Sequence, residues 1–255
     1  MAGIQKFKTN EESSIKHIIG IVSGKGGVGK SFVTSTLASE LVRQGKKVGI
    51  LDADITGPSI PSAFGLQEMA YSDGKFILPE VTKTGIKVIS VNLILENKEA
   101  PVLWRAPIIG QAISQFFSDV KWGALDYLLI DMPPGTGDVS LTVFQSISLD
   151  GIIIVSTPQD LVSVIVKKAV NMAKMMNIPI LGFVENMSYY KCPCCNHVDH
   201  IFGTSNLEEE AKEEKVENTV KFPINSEFTK YVDEGRVEFL EFEEIKEFTQ
   251  KLVEG

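Results

Sequence analysis

A glycine-rich loop that contains two lysines lies near the start of the chain, between an apolar run and a helical pattern. Residues 24–31 read GKGGVGKS, which fits the phosphate-loop pattern G-x-x-x-x-G-K-S/T. The apolar run over 17–22 predicts a short buried strand, and 32–44 predicts a helix that ends at Gly45. A plain glycine-rich turn does not need a Lys-Ser pair at this place. The pair, together with the order strand, loop, helix, therefore indicates a nucleotide site.

The residue types of this loop suit a phosphate group. Its glycines allow the backbone to wrap closely around phosphate oxygens, and the exposed N–H groups and the helix N-terminus then face the negative charge. Lys30 can reach the β- and γ-phosphates, and the Ser31 hydroxyl can ligate Mg²⁺. We therefore expect ATP and Mg²⁺ as ligands. The predicted nucleotide-binding residues of this segment are Gly24, Lys25, Gly26, Gly27, Val28, Gly29, Lys30, Ser31 and Phe32.

Apolar strands alternate with amphipathic helices along the whole chain. The 255 residues, of which 44% are hydrophobic, suffice for one full-sized core. The order predicts an α/β fold, a single-domain P-loop NTPase whose mostly parallel sheet of about seven or eight strands has helices on both faces. We expect a flexible N-terminal tail over 1–14 and the ATPase domain over 15–255. Candidate strands are 18–22, 47–52, 87–92, 126–131, 151–156, 180–185 and 219–222, and candidate helices are 31–44, 107–120, 139–149, 161–176, 206–215 and 238–253.

Acidic residues follow two of the predicted strands, at the sheet edge where such folds bind ligands. Asp52 and Asp54 come after the second strand, where a carboxylate can orient the attacking water or support Mg²⁺, although both could instead cap the following turn. Asp131 follows four apolar residues, as in the Walker B pattern, and precedes Met and then the run PPGTGD. We expect Mg²⁺ at Ser31, Asp52 and Asp131, and a γ-phosphate contact from the backbone N–H of Gly135, as in the switch II segment of related ATPases.

The second lysine of the loop, Lys25 in the order GKGGVGK, resembles the deviant Walker A ATPases, the superfamily of ParA, MinD and the nitrogenase iron protein. This resemblance implies an ATP-sandwich homodimer in which Lys25 reaches the nucleotide of the other subunit. It also implies that Asp54 positions water, so that the catalytic residues are Lys25, Lys30 and Asp54. Without the resemblance, Lys25 is an additional cation of the loop.

Further stretches resemble the Mrp-type branch of this superfamily, the iron–sulfur cluster carrier ATPases, from about Ile18 to Gly203. Asn186 follows the sixth predicted strand, where an amide can read the adenine edge with one donor and one acceptor or serve as a plain turn residue. The branch has its Asn near the base at this place. After Gly203 the resemblance weakens, because NSEF replaces the usual aspartate- and glycine-rich stretch. The stretches that carry the resemblance are 54–61, 102–107, 119–127, 131–138 and 184–189.

All three cysteines of the chain lie within residues 192–195, which indicates metal or redox chemistry and not a disulfide framework. Cys192 and Cys195 form a C-P-x-C pair in the loop 190–203, with Cys194 as an additional thiol. In the Mrp-type branch such pairs from two subunits bridge one [4Fe-4S] cluster, which takes four thiolates, and the resemblance implies the same here. The alternatives are Zn²⁺ held within one chain by Cys192, Cys195, His197 and His200, or a dithiol without metal.

The net charge of the chain and the length of its apolar runs bear on nucleic-acid and membrane partners. The net charge is −8 and the pI about 5.1, so we expect no nucleic-acid partner held by general electrostatics. We expect no membrane partner, because no apolar run approaches a membrane span and the C-terminal helix is acidic. The expectation is a cytoplasmic, homodimeric ATPase that transfers iron–sulfur clusters to apo-proteins. The alternative is a regulatory or positioning switch of the MinD/ParA kind with a structural zinc.

Overall fold

A nine-stranded, mostly parallel sheet forms the centre of the molecule in a computed structural model that describes residues 6–54, 57, 59–93, 106–135, 137–161 and 164–254. Its strands are β1 (Ser14–Ser23), β2 (Val48–Asp52), β5 (Glu80–Val81), β6 (Lys87–Ile89), β7 (Ala124–Asp131), β8 (Gly151–Ser156), β9 (Ile180–Lys191), β10 (Val198–Asp199) and β11 (Thr219–Ile224), and a separate hairpin consists of β3 (Tyr71–Ser72) and β4 (Ile77–Leu78). The strand order of the sheet is β10-β9-β8-β1-β7-β2-β6-β5, and β11 also pairs with β9.

Helices cover both faces of the sheet, as its alternating side chains require. On β7, Leu128 and Ile130 enter one hydrophobic cluster and Leu129 enters the other. Within the described residues no helix is both long and apolar enough to cross a membrane. The helices are α1 (Lys30–Arg43), α2 (Ile60–Ala63), α3 (Ala106–Ser118), α4 (Asp138–Ser146), α5 (Pro158–Leu161), α6 (Val164–Met175), α7 (Leu207–Glu214), α8 (Ser226–Asp233) and α9 (Glu243–Glu254).

All seven predicted strands are present, and the fold class is confirmed. The strand predicted over 87–92 is shorter, because β6 ends at Ile89 and a 3₁₀ turn spans Val91–Leu93. The final helix begins at Glu243 instead of 238, since Glu238 is buried and accepts hydrogen bonds from Thr84 N (2.9 Å) and Oγ1 (2.7 Å). Parts of three predictions lie outside the described residues: 1–5 of the tail, 162–163 of a helix, and 55–56, 58, 102–105 and 136 of the family resemblance.

The described part of the predicted tail makes hydrogen bonds to the rest of the domain. The Phe7 N–H donates to Ser146 O at 2.7 Å, at the end of α4. Asn10 Nδ2 donates to Ser118 O and Val120 O, both at 2.8 Å, and so satisfies carbonyls at the end of α3. These contacts fix residues 6–13 against the domain.

Candidate functional site

The glycine-rich loop connects β1 to α1 and has a backbone that only glycine adopts easily. Gly27 and Gly29 have φ of 82° and 83°, in the left-handed region. A Cβ on Gly29 would lie 2.2 Å from Asn186 Nδ2, because the Asn186 amide packs on the loop and donates to Val28 O at 2.9 Å. The loop lines a cavity of about 330 Å³, which Asp54 and Pro134 also line.

A buried cluster of charge lies beneath the loop. Lys30 Nζ is 2.8 Å from Asp131 Oδ1 and 4.0 Å from Asp54 Oδ2. The ammonium is only 5% exposed and has an ion pair but no oriented hydrogen-bond acceptor among the described residues. Ser31 Oγ donates to Asp131 Oδ2 at 2.6 Å, and Thr34 Oγ1 donates to Oδ1 at 2.7 Å. An ammonium with an unused donor, next to a hydroxyl–carboxylate pair, fits a phosphate and its Mg²⁺.

Asp52 is held beside this cluster by the register of β2 against β7, which pairs it with Asp131. Burial, and then the negative charge of Asp131, raises the pKa of Asp52 well above its ordinary value. Its Oδ1 accepts the Asp54 N–H at 3.1 Å, so Asp52 does cap the following turn, as the alternative interpretation held. Its Oδ2 accepts from Ser90 Oγ at 3.0 Å. A cation bound here would favour the ionised form of Asp52.

Gly135 lies beside the loop with φ 80°. Its N–H donates to Ser23 O at 2.9 Å, and its carbonyl accepts from Ser140 Oγ at 3.0 Å. The predicted contact with a γ-phosphate would therefore require this N–H to leave Ser23.

A second cavity, of about 270 Å³, adjoins the first and shares Phe32 and Val232 with it. The Phe32 ring stacks on Phe228 of α8 with centroids 5.4 Å apart. Asn186 and Met187 line one side, so the residue predicted to lie near the base does border this cavity. Sequence reasoning missed the α8 wall, although Asn225 is a recognisable N-cap that accepts from Glu227 N at 2.9 Å.

The cysteines lie on a hairpin that β9 and β10 form. The Cys192 N–H donates to His197 O, and the Asn196 N–H donates to Cys192 O, both at 2.9 Å. Cys192 is half-buried, whereas Cys194 and Cys195 are exposed, and all three thiols are free. Hydrogen bonds from the backbone N–H groups of Cys194 and Cys195, together with the Cys195 thiol, lower the pKa of Cys192. Exposed apolar side chains surround the hairpin: Tyr190, Val198, Ile201 and Phe202.

The single-chain zinc alternative finds no preformed site. Within the described ranges, which include all of 190–203, no three His, Cys, Asp or Glu side chains are arranged to hold a metal ion. His200 is directed to the strand, with Nδ1 3.3 Å from Ser188 O.

The parallel sheet, the phosphate loop between β1 and α1, and the buried Lys30–Asp131 pair define a P-loop NTPase of the ParA type. The family described as "ParA: NUBPL iron-transfer P-loop NTPase" matches residues 14–254. The chain therefore belongs to the NUBPL iron-transfer P-loop NTPase family.

Relatives agree with this assignment. The chain is 50% identical over 250 residues to an iron-sulfur cluster carrier protein of Methanocaldococcus jannaschii, covering 95% of this chain and 86% of the relative. A nucleotide-binding protein of Archaeoglobus fulgidus, solved in complex with ADP and with Co, superposes with a TM-score of 0.83 at 46% identity over 92% of each chain. The cell division ATPase MinD of Pyrococcus furiosus, at 21% identity and a TM-score of 0.67 over 93% and 97% of the two chains, shows the fold alone.

The close contact between Gly29 and Asn186 gives a first prediction. Gly29→Ala should lower the free energy of unfolding of the nucleotide-free protein by about 2–4 kcal/mol, because it adds a clash to an unfavourable φ. Gly27→Ala is the matched control, since it has the same φ but nothing within 4 Å of its added Cβ, and should cost about 1 kcal/mol. Urea unfolding measures both. Equal losses would show that Asn186 does not constrain the loop.

Proposed function

We propose that this chain is an ATP-hydrolysing carrier of iron–sulfur clusters, which holds a [4Fe-4S] cluster between two copies and delivers it to apo-proteins in the cytoplasm. The observation that carries the proposal is that one strand, β9, connects the two sites. It contacts the phosphate loop through Asn186, and it leads directly into the hairpin of Cys192 and Cys195. Relatives named as iron-sulfur cluster carrier proteins support the part of the proposal that concerns the cluster, and a relative solved with ADP supports the part that concerns the nucleotide.

The chemistry of the hairpin supports a cluster that is shared between two chains. Its free thiols point to a soft metal centre, and backbone N–H groups near Cys192 favour a thiolate. A [4Fe-4S] cluster takes four thiolates, and Cys192 and Cys195 from each of two chains supply them. The exposed Tyr190, Val198 and Phe202 lie near these thiols and would become covered when two hairpins meet.

The loop residues divide the work on ATP. Lys30 holds the β- and γ-phosphates. Ser31 and Asp131 support Mg²⁺, together with Asp52, which is paired with Asp131 across the two strands. Asp54 lies beside the same cavity and orients the attacking water. Lys25 is exposed on the loop, and in the proposed dimer it reaches the nucleotide of the second copy. Binding of ATP and closure of the dimer then change how tightly the shared cluster is held.

Anaerobic reconstitution with iron and sulfide tests the proposal. The expected product is a brown dimer with four irons per two chains and broad visible absorbance, which activates an apo [4Fe-4S] enzyme when ATP is added. A colourless monomer that keeps one zinc per chain would contradict the proposal and favour the switch with a structural zinc.

A further inference from the structure

Strand β9 is irregular between its contact with the phosphate loop and the cysteine hairpin. Glu185 pairs with Lys221 of β11, but the next pair is Tyr189 with Pro223, so residues 186–188 face Phe222 alone. Met187, inside this bulge, has φ 55°. A non-glycine residue in the left-handed region persists only where its surroundings hold it, so the contacts on the two sides of the bulge define its shape.

The phosphate loop holds one side of the bulge. Asn186 is 6% exposed, donates to Val28 O at 2.9 Å and packs on Gly29. A change in the loop when phosphate binds therefore acts on the first residue of the bulge.

The cysteine hairpin holds the other side. Ser188 is fully buried, and its hydroxyl closes the bulge by donating to Glu185 Oε1 at 2.5 Å. Its carbonyl lies 3.3 Å from His200 Nδ1, and because a carbonyl can only accept, a hydrogen bond between them requires the tautomer with the proton on Nδ1. His200 directly follows β10, the return arm of the hairpin, and its own carbonyl accepts from Gly203 N at 2.9 Å.

We propose that the bulge at 186–188, through the bond from His200 to Ser188, couples the state of the nucleotide to the position of the cysteine hairpin. His200 is then a positioning residue that touches neither nucleotide nor cluster. The coupling is reciprocal, so a cluster on the hairpin changes the affinity of the loop for nucleotide by the same factor. The inference deepens the proposed function, but its first test requires no cluster.

Hydrogen exchange of the cluster-free protein, with and without MgADP, provides that test. We expect nucleotide to change the exchange rate of the amides of Cys192 and Asn196, which close the hairpin, by about fivefold or more. His200→Ala should remove most of this change. His200→Asn should restore it, because its amide nitrogen takes the place of Nδ1, whereas the nitrogen of His200→Gln takes the place of Nε2 and should not. His197→Ala, in the same hairpin, is the matched control and should behave as the parent chain does.

The coupling would be overturned if MgADP did not change the exchange rates of the hairpin amides in the parent chain. It would also be overturned if His200→Ala kept the full change, or if His197→Ala lost it to the same extent as His200→Ala. The second measurement compares the affinity for a non-hydrolysable ATP analogue in cluster-free and cluster-loaded protein. We expect a ratio of about tenfold that falls to about twofold in His200→Ala. A parent chain that binds no cluster contradicts the proposed function and leaves the exchange result standing. A loaded chain with a ratio of one contradicts the coupling between nucleotide and cluster, and leaves the proposed binding and delivery of the cluster standing.

Discussion

Alanine in place of Cys192 or Cys195 is expected to abolish cluster binding while leaving nucleotide binding unchanged. In the proposed dimer each substitution would remove two of the four thiolates of the shared cluster, because the twofold arrangement would repeat it in both chains. The cysteines lie on the hairpin and do not line the two cavities at the phosphate loop. Iron content and visible absorbance after anaerobic reconstitution should fall to background, and titration with MgADP before reconstitution should give an affinity within about twofold of the cluster-free parent chain.

Cys194→Ala is the matched control for these two variants. Cys194 lies between the pair at the x position of C-P-x-C, and it is exposed. The variant should keep its full iron content and its dimeric mass. Loss of the cluster in Cys194→Ala, with retention in Cys195→Ala, would show that the bridging pair is Cys192 with Cys194.

Substitution of the two lysines of the phosphate loop should have different effects on nucleotide affinity and on hydrolysis. Lys30→Met removes a buried charge close to the phosphates and should weaken nucleotide affinity by about 100-fold or more. Lys25→Met alters an exposed side chain and should change affinity by less than about threefold. Hydrolysis in Lys25→Met should nevertheless fall by about 1000-fold, as when a cation supplied by a second subunit is lost.

Binding and steady-state hydrolysis, measured over a range of protein concentrations, separate the two effects. Methionine fills the volume of the lysine stem, and thermal unfolding without nucleotide checks that Lys30→Met is folded. If Lys25→Met hydrolyses ATP as the parent chain does, the lysine does not act across subunits. If both variants lose affinity equally, the two cations serve the same phosphates within one chain.

The sequence predicted the central strands and the phosphate loop because their signals are local. Continuous apolar runs such as β7 belong to strands covered on both faces, and the loop pattern fixes both residue type and spacing. It did not predict β5 and β10, since strands of two residues carry no period and form only against a neighbour. It placed Asp52, Asp54 and Asp131 at one edge, but the raised pKa of Asp52 depends on the register that pairs it with Asp131.

The contacts of Asn186 and His200 were also beyond sequence reasoning. Asn186 was predicted to lie near the base, and the structure adds that its amide is bonded to the loop backbone at Val28. The bond from His200 to Ser188 depends on how the hairpin folds back on β9, which the spacing of the chain does not encode. Interactions between distant segments of this kind require tertiary packing and leave no periodic pattern in the sequence.

Because the cysteine hairpin is exposed, we expect the cluster-free chain to be sensitive to air. Cys194 and Cys195 are open to solvent next to a Cys192 whose pKa is lowered, and thiolates that peroxide can reach proceed to sulfenic acid and then to disulfides. Three sulfurs so close in the chain offer several such products, each of which removes ligands from the hairpin. Aerobic preparations of this protein should therefore lose their capacity for iron with storage time, and treatment with dithiothreitol before reconstitution should return it.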